Sequence, residues 1–253
     1  MNANDIKAGV KEHYGKIAQG SQSGCGSGCG CGSESSVDVT ELLAPSYTGH
    51  NEAIVGTANL GLGCGDPVRF SGLREGMTVL DLGSGAGIDV FLAAQEVGPS
   101  GRAIGLDMTD EMLGRAEQNR RKLGIANAVF LKGEIESIPL PAESVDWILS
   151  NCVINLVPDK RKAFLEMHRV LRSGGSFVVS DIVTDGTVPE RYRQDTELWA
   201  GCVSGAIDRG EYVSMIHEAG FDSVETLSER SSGETGDLPF AVRSITIKAT
   251  KKG

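Results

Sequence analysis

Three dispersed cysteines, Cys64, Cys152 and Cys202, are the residues of this sequence with the most direct chemical potential. A thiolate is both a nucleophile and a soft metal ligand. The three positions are too far apart in the chain to form a local metal-binding motif, so only the tertiary fold could bring them together. Taken by themselves, the cysteines favour three unrelated thiols in apolar pockets.

Three more cysteines lie in a tract rich in glycine and serine. Cys25, Cys29 and Cys31 fall within residues 20–36, GSQSGCGSGCGCGSESS, whose composition predicts a flexible linker. The N-terminal sequence MNANDIKAGVKEHYGK has no apolar stretch typical of a signal peptide, which favours a reducing cytoplasm. We therefore expect all six cysteines to be free thiols.

A glycine-rich turn supplies a second chemical signal. The run DLGSGAG, from Asp81 to Gly87, follows the predicted strand Thr78–Leu82 and opens a helix. Its glycines allow a ligand to approach the N-terminus of that helix. The spacing differs from the dinucleotide pattern GxGxxG because Ile88 occupies the sixth position, which argues against NAD or FAD.

Two acidic residues follow the next predicted strands. Asp107 ends the second strand, 20 residues after the last glycine of the turn, where a carboxylate can accept both hydroxyls of a ribose. Glu134 comes directly after the third strand. Cys152 follows the fourth strand, at the end where open α/β sheets bind ligands. The pattern predicts a nucleoside ligand at this edge of the sheet.

Strands and helices alternate along the chain, which predicts an α/β fold with a parallel sheet and helices on both of its faces. The predicted strands are Thr78–Leu82, Arg102–Leu106, Val129–Lys132, Val145–Ser150, Ser176–Asp181, Ser223–Glu229 and Val242–Thr250. The predicted helices are Asn4–Gln19, Ile88–Val97, Asp110–Leu123, Asp159–Leu171, Pro189–Trp199 and Glu211–Ala219. We expect five parts: an N-terminal helix (1–19), the flexible tract (20–36), a lid with the first site cysteine (37–76), a cofactor-binding core (77–185), and a helical cap with the final strands (186–253).

Composition excludes several classes of partner. The chain has 253 residues, enough to bury a core without disulfides or a structural metal. Its net charge of −10, with no clustered basic face, argues against nucleic acid and anionic membranes, since both require Lys and Arg. No apolar run approaches the roughly 20 residues that cross a bilayer.

Four strings resemble the class I S-adenosylmethionine-dependent methyltransferases, in the order VLDLGSGAG, GLDMT, KGEIESIPL and VDWILSN, over residues 77–182. The resemblance implies a Rossmann-like, doubly wound sheet of seven strands, the last antiparallel, with the methyl donor above the carboxyl ends of the strands. The implied donor-binding residues are Asp81, Gly83 and Gly85 at the methionine part, Asp107 at the ribose, Met108, Glu134 and Ile135 at the adenine, and Asn151.

Further strings resemble the arsenite methyltransferases from about residue 59 to residue 221, namely NLGLGCGDP, SNCVINLVPDKRKAFLEMHRVLRSGG and GCVSGAI. This resemblance implies that Cys64, Cys152 and Cys202 are the catalytic arsenic ligands. Thiolates select trivalent arsenic because it is soft, and three of them leave its lone pair free to attack the sulfonium methyl. Little acid–base assistance is then required, and the enzyme positions the reactants and excludes water.

The resemblance also implies substrates and partners. Arsenite and methylarsenite would be the substrates, and glutathione or thioredoxin the thiol reductant, in a cytoplasmic detoxification. In such enzymes N-terminal cysteines take up arsenic or exchange disulfides with the site. Cys29 and Cys31 are therefore candidates for a second arsenic or metal site, and incidental thiols in a disordered tail are an equal alternative.

Two other functions fit the residues. One is a methyltransferase for a small organic carbon or oxygen nucleophile, which would need a base and would not depend on three cysteines. The other is a non-catalytic thiol protein that sequesters or senses arsenic or soft metals. Such a protein would not need the sulfonium donor.

Overall fold

The computed structural model describes residues 2–20, 47–193, 199, 202–231 and 240–253. Cys25, Cys29 and Cys31 lie outside the described residues, as do nearly all of the predicted linker and part of the predicted helix Pro189–Trp199. None of the helices within those ranges combines the length and apolar character that crossing a bilayer requires.

A seven-stranded sheet and the helices around it form the fold. The strands are β1 (Thr78–Leu82), β2 (Arg102–Asp107), β3 (Ala128–Lys132), β4 (Val145–Asn151), β5 (Leu171–Asp185), β6 (Phe221–Ser231) and β7 (Ala241–Lys251). The helices are α1 (Ala3–Ala18), α2 (Glu52–Ala58), α3 (Ile88–Glu96), α4 (Asp110–Leu123), α5 (Lys160–Val170), α6 (Glu190–Arg193) and α7 (Arg209–Glu218), with a 3-10 turn at Ile154–Leu156.

The strand order of the sheet is β3-β2-β1-β4-β5-β7-β6. Strands β1 to β5 are parallel to one another, and β7 is antiparallel to both β5 and β6. This arrangement confirms the predicted doubly wound sheet with an antiparallel last strand. The order reverses between β1 and β4, and ligands of open α/β sheets bind in the crevice at such a point.

Two separate apolar cores pack helices against the sheet. In the first, Phe164 of α5 stacks on Phe177 of β5 at 6.2 Å between ring centroids and meets Tyr212 of α7 edge-on at 5.4 Å. In the second, Phe91 of α3 meets Phe130 of β3 edge-on at 5.7 Å. These contacts fix α3 and α5, and the segments that precede these helices carry the candidate site.

Strand β5 departs most from its prediction, because it begins at Leu171 rather than Ser176. Helix α5 ends at Val170 and the strand follows at once. Leu171 pairs with Val145 of β4, and the register shifts before Ser176. Gly174, with φ of +76°, lies in this irregular segment. The residues between the predicted helix Asp159–Leu171 and the predicted strand Ser176–Asp181 therefore belong to the observed strand, where its pairing with β4 is irregular.

Helix α1 lies against the ligand-binding edge. A capping box closes its first turn, since Asn2 Oδ1 accepts the Asp5 N–H at 2.9 Å and the Asp5 carboxylate accepts the Asn2 N–H at 3.3 Å. Arg115 of α4 donates to the Ala18 carbonyl at 3.1 Å, and Val10 is buried. The C-terminal end of α1 is thus held by α4, and Lys7, Val10 and Tyr14 of α1 line the cavity described below.

Candidate active site

The glycine-rich turn after β1 has a backbone that few other residues could adopt. Gly83, Gly85 and Gly87 have φ values of +65°, +51° and +93°. A Cβ atom on Gly83 would lie 2.5 Å from Cγ1 of Val153, which is closer than van der Waals contact. Glycine is therefore required both by conformation and by space, and the turn leaves an open cradle before α3.

Asp107, at the end of β2, is buried and holds this turn. Its Oδ2 accepts the Gly85 N–H at 2.9 Å, and its Oδ1 accepts the Thr109 N–H and hydroxyl at 2.9 and 2.8 Å. A carboxylate has about four acceptor positions. Asp107 can therefore hold the turn and still accept a hydrogen bond from a ligand hydroxyl.

Buried carboxylates gather at one end of the site. Burial raises the pKa of Asp81 well above its ordinary value, and Asp89 and Asp107 raise it further. Burial also raises the pKa of Asp89 to about 7. Removing negative charges from water is unfavourable unless a cation compensates them. The residues therefore fit a ligand with positive charges, such as the sulfonium and ammonium groups of S-adenosylmethionine.

The opposite end of the site carries the residues predicted to border the adenine. Ile135 is buried, and Met108 packs against the cluster that contains the three site cysteines. Lys7 of α1 binds Glu134 at 2.8 Å and Glu136 at 3.0 Å. The hydrogen bond from Lys7 lowers the pKa of Glu134. Helix α1 is thereby tied across the mouth of the site.

One cavity connects both ends, with an empty volume of about 1090 Å³ that includes open solvent. All eight residues predicted to bind the donor line it, namely Asp81, Gly83, Gly85, Asp107, Met108, Glu134, Ile135 and Asn151. Cys152 is also in its wall. The predicted donor-binding residues and one of the three dispersed cysteines therefore line the same cavity.

The three dispersed cysteines meet in one buried cluster beside this cavity. Cys64 and Cys152 form a disulfide with a Cα–Cα distance of 5.8 Å, so the expectation of free thiols is wrong for these two. Cys202 is a buried free thiol whose Sγ donates to the Cys152 carbonyl at 3.0 Å. Within the described ranges, no three His, Cys, Asp or Glu side chains are arranged to hold a metal ion.

Two of the site cysteines have a strained backbone. Cys152 and Cys202 have φ values of +59° and +64°, in the left-handed region that side chains with a Cβ seldom adopt. Among the described residues, Glu143 is the one other non-glycine residue with positive φ. Strained conformations persist where the surroundings impose them, and they concentrate at functional sites. Both Cys152 and Cys202 belong to the cysteine cluster.

Asn151, predicted to bind the donor, also orders the loop of the first cysteine. Its Oδ1 accepts the N–H groups of Cys64 and Gly65 at 3.0 and 3.1 Å. Its Nδ2 lies 2.8 Å from the Gly65 carbonyl, 3.2 Å from Asp89 and 3.0 Å from the Tyr47 hydroxyl. One amide therefore joins the acidic end of the cavity to the cysteine cluster.

A buried polar network lies behind Cys202. Tyr212 donates to Asp181 at 3.1 Å, and burial raises the pKa of Asp181 to about 7. Lys160 donates to the carbonyls of Asn155 and Val157 at 3.2 and 3.1 Å, and burial lowers its pKa to about 8. Burial raises the pKa of the Cys202 thiol, and Asp181 raises it further while Lys160 opposes the shift. Cys202 is therefore a neutral thiol here.

Several residues of the site were missed by sequence reasoning. Lys7 acts from α1 on a residue 127 positions away, so no local pattern could have indicated it. Tyr47 donates to the Asp89 carboxylate at 3.2 and 3.1 Å from a segment predicted only as a lid. The sequence could have indicated Asp89, since it is an acid at the start of the helix that follows the glycine-rich turn, next to the predicted donor-binding residues.

Comparison with known proteins agrees with this geometry. Residues 73–220 match a family described as a methyltransferase domain. The chain is 42% identical over 96% of its length to an arsenite methyltransferase of Halobacterium salinarum, and 31% identical over 94% to one of Mus musculus. In structure it is similar to an arsenic(III) S-adenosylmethionine methyltransferase of Chlamydomonas reinhardtii, with a TM-score of 0.71 and 32% identity.

Coverage of these relatives is partial. The matched region covers 81% of this chain and 71% of the Chlamydomonas protein. The chain spans 66% of the length of both the Halobacterium and the Mus musculus relatives. It therefore corresponds to most, but not all, of those longer proteins.

Fold and site together define a class I methyltransferase, with the sheet topology, the glycine-rich turn and the acid after β2 in their expected places. Within this class, the chain belongs to the arsenite methyltransferase family. The predicted family is thereby confirmed.

Proposed function

We propose that this protein transfers a methyl group from S-adenosylmethionine to trivalent arsenic held by Cys64, Cys152 and Cys202. The observation that carries the proposal is the meeting of three cysteines from distant segments in one buried cluster. Cys152 belongs both to that cluster and to the wall of the cavity with all eight predicted donor-binding residues. In this proposal the methyl donor therefore binds next to the cysteine cluster.

The chain's own residues account for donor binding. In this proposal Asp107 accepts the ribose hydroxyls and the glycine turn contacts the methionine part; the burial of Asp107 beside this turn and the free space at Gly85 support it. The buried carboxylates of Asp81 and Asp89 favour the cationic end of the molecule. When bound, S-adenosylmethionine supplies an activated methyl group on a sulfonium. The protein orients that group and keeps water away from it.

Arsenic binding begins from the reduced site. Two electrons from a thiol reductant, glutathione or thioredoxin, open the Cys64–Cys152 disulfide and leave two thiols. Each of the three thiols then replaces one hydroxyl of arsenite and releases one water. The new arsenic–sulfur bonds are those that a soft element prefers. Since these reductants belong to the cytoplasm, we place the reaction there.

Methyl transfer from this arrangement requires no general base. The acceptor is the arsenic lone pair, which forms the carbon–arsenic bond as the carbon–sulfur bond of the donor breaks. Transfer releases S-adenosylhomocysteine and leaves a methylated, formally pentavalent arsenic on the three sulfurs. Two of these sulfurs then leave as a disulfide, which returns two electrons to arsenic, and two water molecules release it as trivalent methylarsenite, with one thiol and one proton. The thiol reductant reopens the disulfide, and methylarsenite binds through two of the thiols as the next substrate.

Arsenic speciation tests the proposal. The protein is incubated with arsenite, S-adenosylmethionine and glutathione, and single Ser replacements at positions 64, 152 and 202 are compared with wild type. Methylated arsenic should fall by at least about 100-fold in Cys152→Ser, since misplacing a reactant by about 1 Å costs that much. Calorimetry with S-adenosylhomocysteine should show unchanged donor binding in the same variant.

Two results would contradict the proposal. If Cys152→Ser methylates an organic acceptor at the wild-type rate and arsenite is not methylated by either protein, the substrate is a carbon or oxygen nucleophile. If the wild type binds arsenite but not S-adenosylhomocysteine, the protein sequesters arsenic without methylating it.

A further inference from the structure

Cys64 lies in a loop without regular secondary structure, yet its backbone is fixed from both sides. Its carbonyl oxygen accepts a hydrogen bond from Arg230 Nη2 at 2.6 Å and another from Ser244 Oγ at 2.8 Å. Its N–H donates to Asn151 Oδ1 at 3.0 Å. Both backbone polar groups of Cys64 are therefore bonded by side chains from distant strands.

The two groups that hold the carbonyl come from one cross-strand pair. Arg230 of β6 and Ser244 of β7 face each other in the antiparallel register. Side chains of such a pair project from the same face of a sheet. Ser244 is buried, while Arg230 is largely exposed and reaches over the sheet to the loop. One side chain from each of the last two strands, β6 and β7, thus donates to the Cys64 carbonyl oxygen.

The neighbouring glycines show how closely this loop is seated. A Cβ atom on Gly65 would lie 2.2 Å from Oγ of Ser180, and one on Gly63 would lie 2.7 Å from Nδ2 of Asn151. The loop therefore lies directly on β4 and β5. Hydrogen bonds and close packing define its position in addition to the disulfide.

We propose that Arg230 and Ser244 are positioning residues that keep Cys64 within reach of Cys152 when their disulfide is open. The proposal rests on the proposed function, in which reduction must precede arsenic binding. Opening the bond removes the covalent tie between residues separated by 88 positions. An unrestrained loop would have to be ordered again each time two sulfur atoms bind one arsenic, at a cost in conformational entropy.

Exchange with glutathione measures this positioning without any arsenic. Oxidised glutathione and the two protein thiols yield the protein disulfide and two reduced glutathione molecules. The full chain is equilibrated in buffers of defined glutathione ratio, alkylated, and the Cys64–Cys152 pair is quantified by mass spectrometry. In R230Q/S244A the equilibrium constant for disulfide formation should fall by roughly five- to tenfold, because the reduced loop gains freedom that the oxidised one lacks.

A matched double variant controls for general effects on the sheet. R243Q/S176A makes the same two substitutions at positions on β7 and β5, where Arg243 binds Asp185 and Ser176 bonds Thr250. Its disulfide equilibrium should match wild type. Arg230→Lys should lower the equilibrium constant for disulfide formation less than Arg230→Gln does, because a lysine can still donate to the Cys64 carbonyl. Calorimetry with S-adenosylhomocysteine should be unchanged in all variants.

An equilibrium constant within twofold of wild type in R230Q/S244A overturns the proposal. So does an equal decrease in R243Q/S176A. If the double variant does not fold, the exposed single substitution Arg230→Gln decides, with at least a twofold decrease required. Arsenic speciation tests the proposed function separately. A lowered equilibrium constant in a protein that never methylates arsenite would support the positioning role and refute the function.

Discussion

The donor cavity and the cysteine cluster are neighbours in the fold but are built in different ways. The donor end is mostly local: Gly83 and Gly85 follow β1 directly, and Asp107 ends the adjacent strand β2. The cysteine cluster joins residues separated by 88 and 50 positions. The residues that line the donor cavity can thus be encoded in short strings, whereas the cysteine cluster depends on contacts between distant segments.

Replacement of Asp107, the acid at the end of β2, should have the largest effect on donor affinity. Asp107→Ala is expected to weaken S-adenosylhomocysteine binding by at least about 100-fold, because hydrogen bonds to a charged group contribute about 1.5–3 kcal/mol each. Titration calorimetry measures the loss. Arsenite uptake by the reduced protein should persist, since the cysteines lie in the other half.

Asp110→Ala is the matched control, because Asp110 is an exposed carboxylate paired with Lys132 at 2.6 Å. It should bind the donor analogue as wild type does. Equal binding by Asp107→Ala and wild type would refute the assigned role of Asp107. Loss of arsenite uptake in Asp107→Ala would show that the two halves are not separable.

The glycine-rich turn should be intolerant of a side chain. Gly83→Ala combines a left-handed backbone with a contact of 2.5 Å to Val153, so we expect a loss of about 2–4 kcal/mol in the free energy of unfolding. Gly124→Ala has a similar φ of +68° but nothing within 4 Å of the added atom. Urea denaturation measures the free energy of unfolding of both variants, and the difference between their losses gives the contribution of the steric contact with Val153. Equal losses would mean that the turn adapts to the extra atom.

Stability should decrease as the pH rises through the range of Asp89. Its pKa in the folded protein, about 7, lies above the unfolded value of about 3.9. The folded state therefore binds more protons between these pH values, and the free energy of unfolding falls from pH 4 towards pH 7. Asp89→Asn should flatten this dependence in urea denaturation at a series of pH values. An unchanged slope in the variant would exclude Asp89 as the cause.

The smallest effect is expected at the tie between α1 and the cavity. Lys7→Gln breaks the ion pairs with Glu134 and Glu136, and donor affinity should fall by roughly two- to fivefold, in keeping with the modest worth of partly exposed ion pairs. Lys16→Gln, which breaks an exposed pair with Glu12, is the control. A loss as large as that of Asp107→Ala would make α1 part of the binding site proper.

Sequence reasoning recovered the donor half more fully than the cysteine half. The eight predicted donor residues share one cavity because strand ends in a parallel sheet meet at one edge. The grouping of Cys64, Cys152 and Cys202 came from a family resemblance, and the disulfide was not expected. The five-part division of the chain and the roles of Cys25, Cys29 and Cys31 stay predictions.

The periodicity of apolar residues and the positions of glycine and proline determined the alternation of strands and helices, and the glycine and acid positions predicted which strand ends line the cavity. Only the tertiary structure decided that Asn151 bonds both Asp89 and the Cys64 loop, that Lys7 pairs with Glu134 in the cavity wall, and that Arg230 and Ser244 donate to the Cys64 carbonyl. The physical reason is the distance along the chain over which each kind of interaction acts. Backbone preferences act over a few neighbouring residues, whereas these hydrogen bonds exist only after the sheet has brought distant segments together.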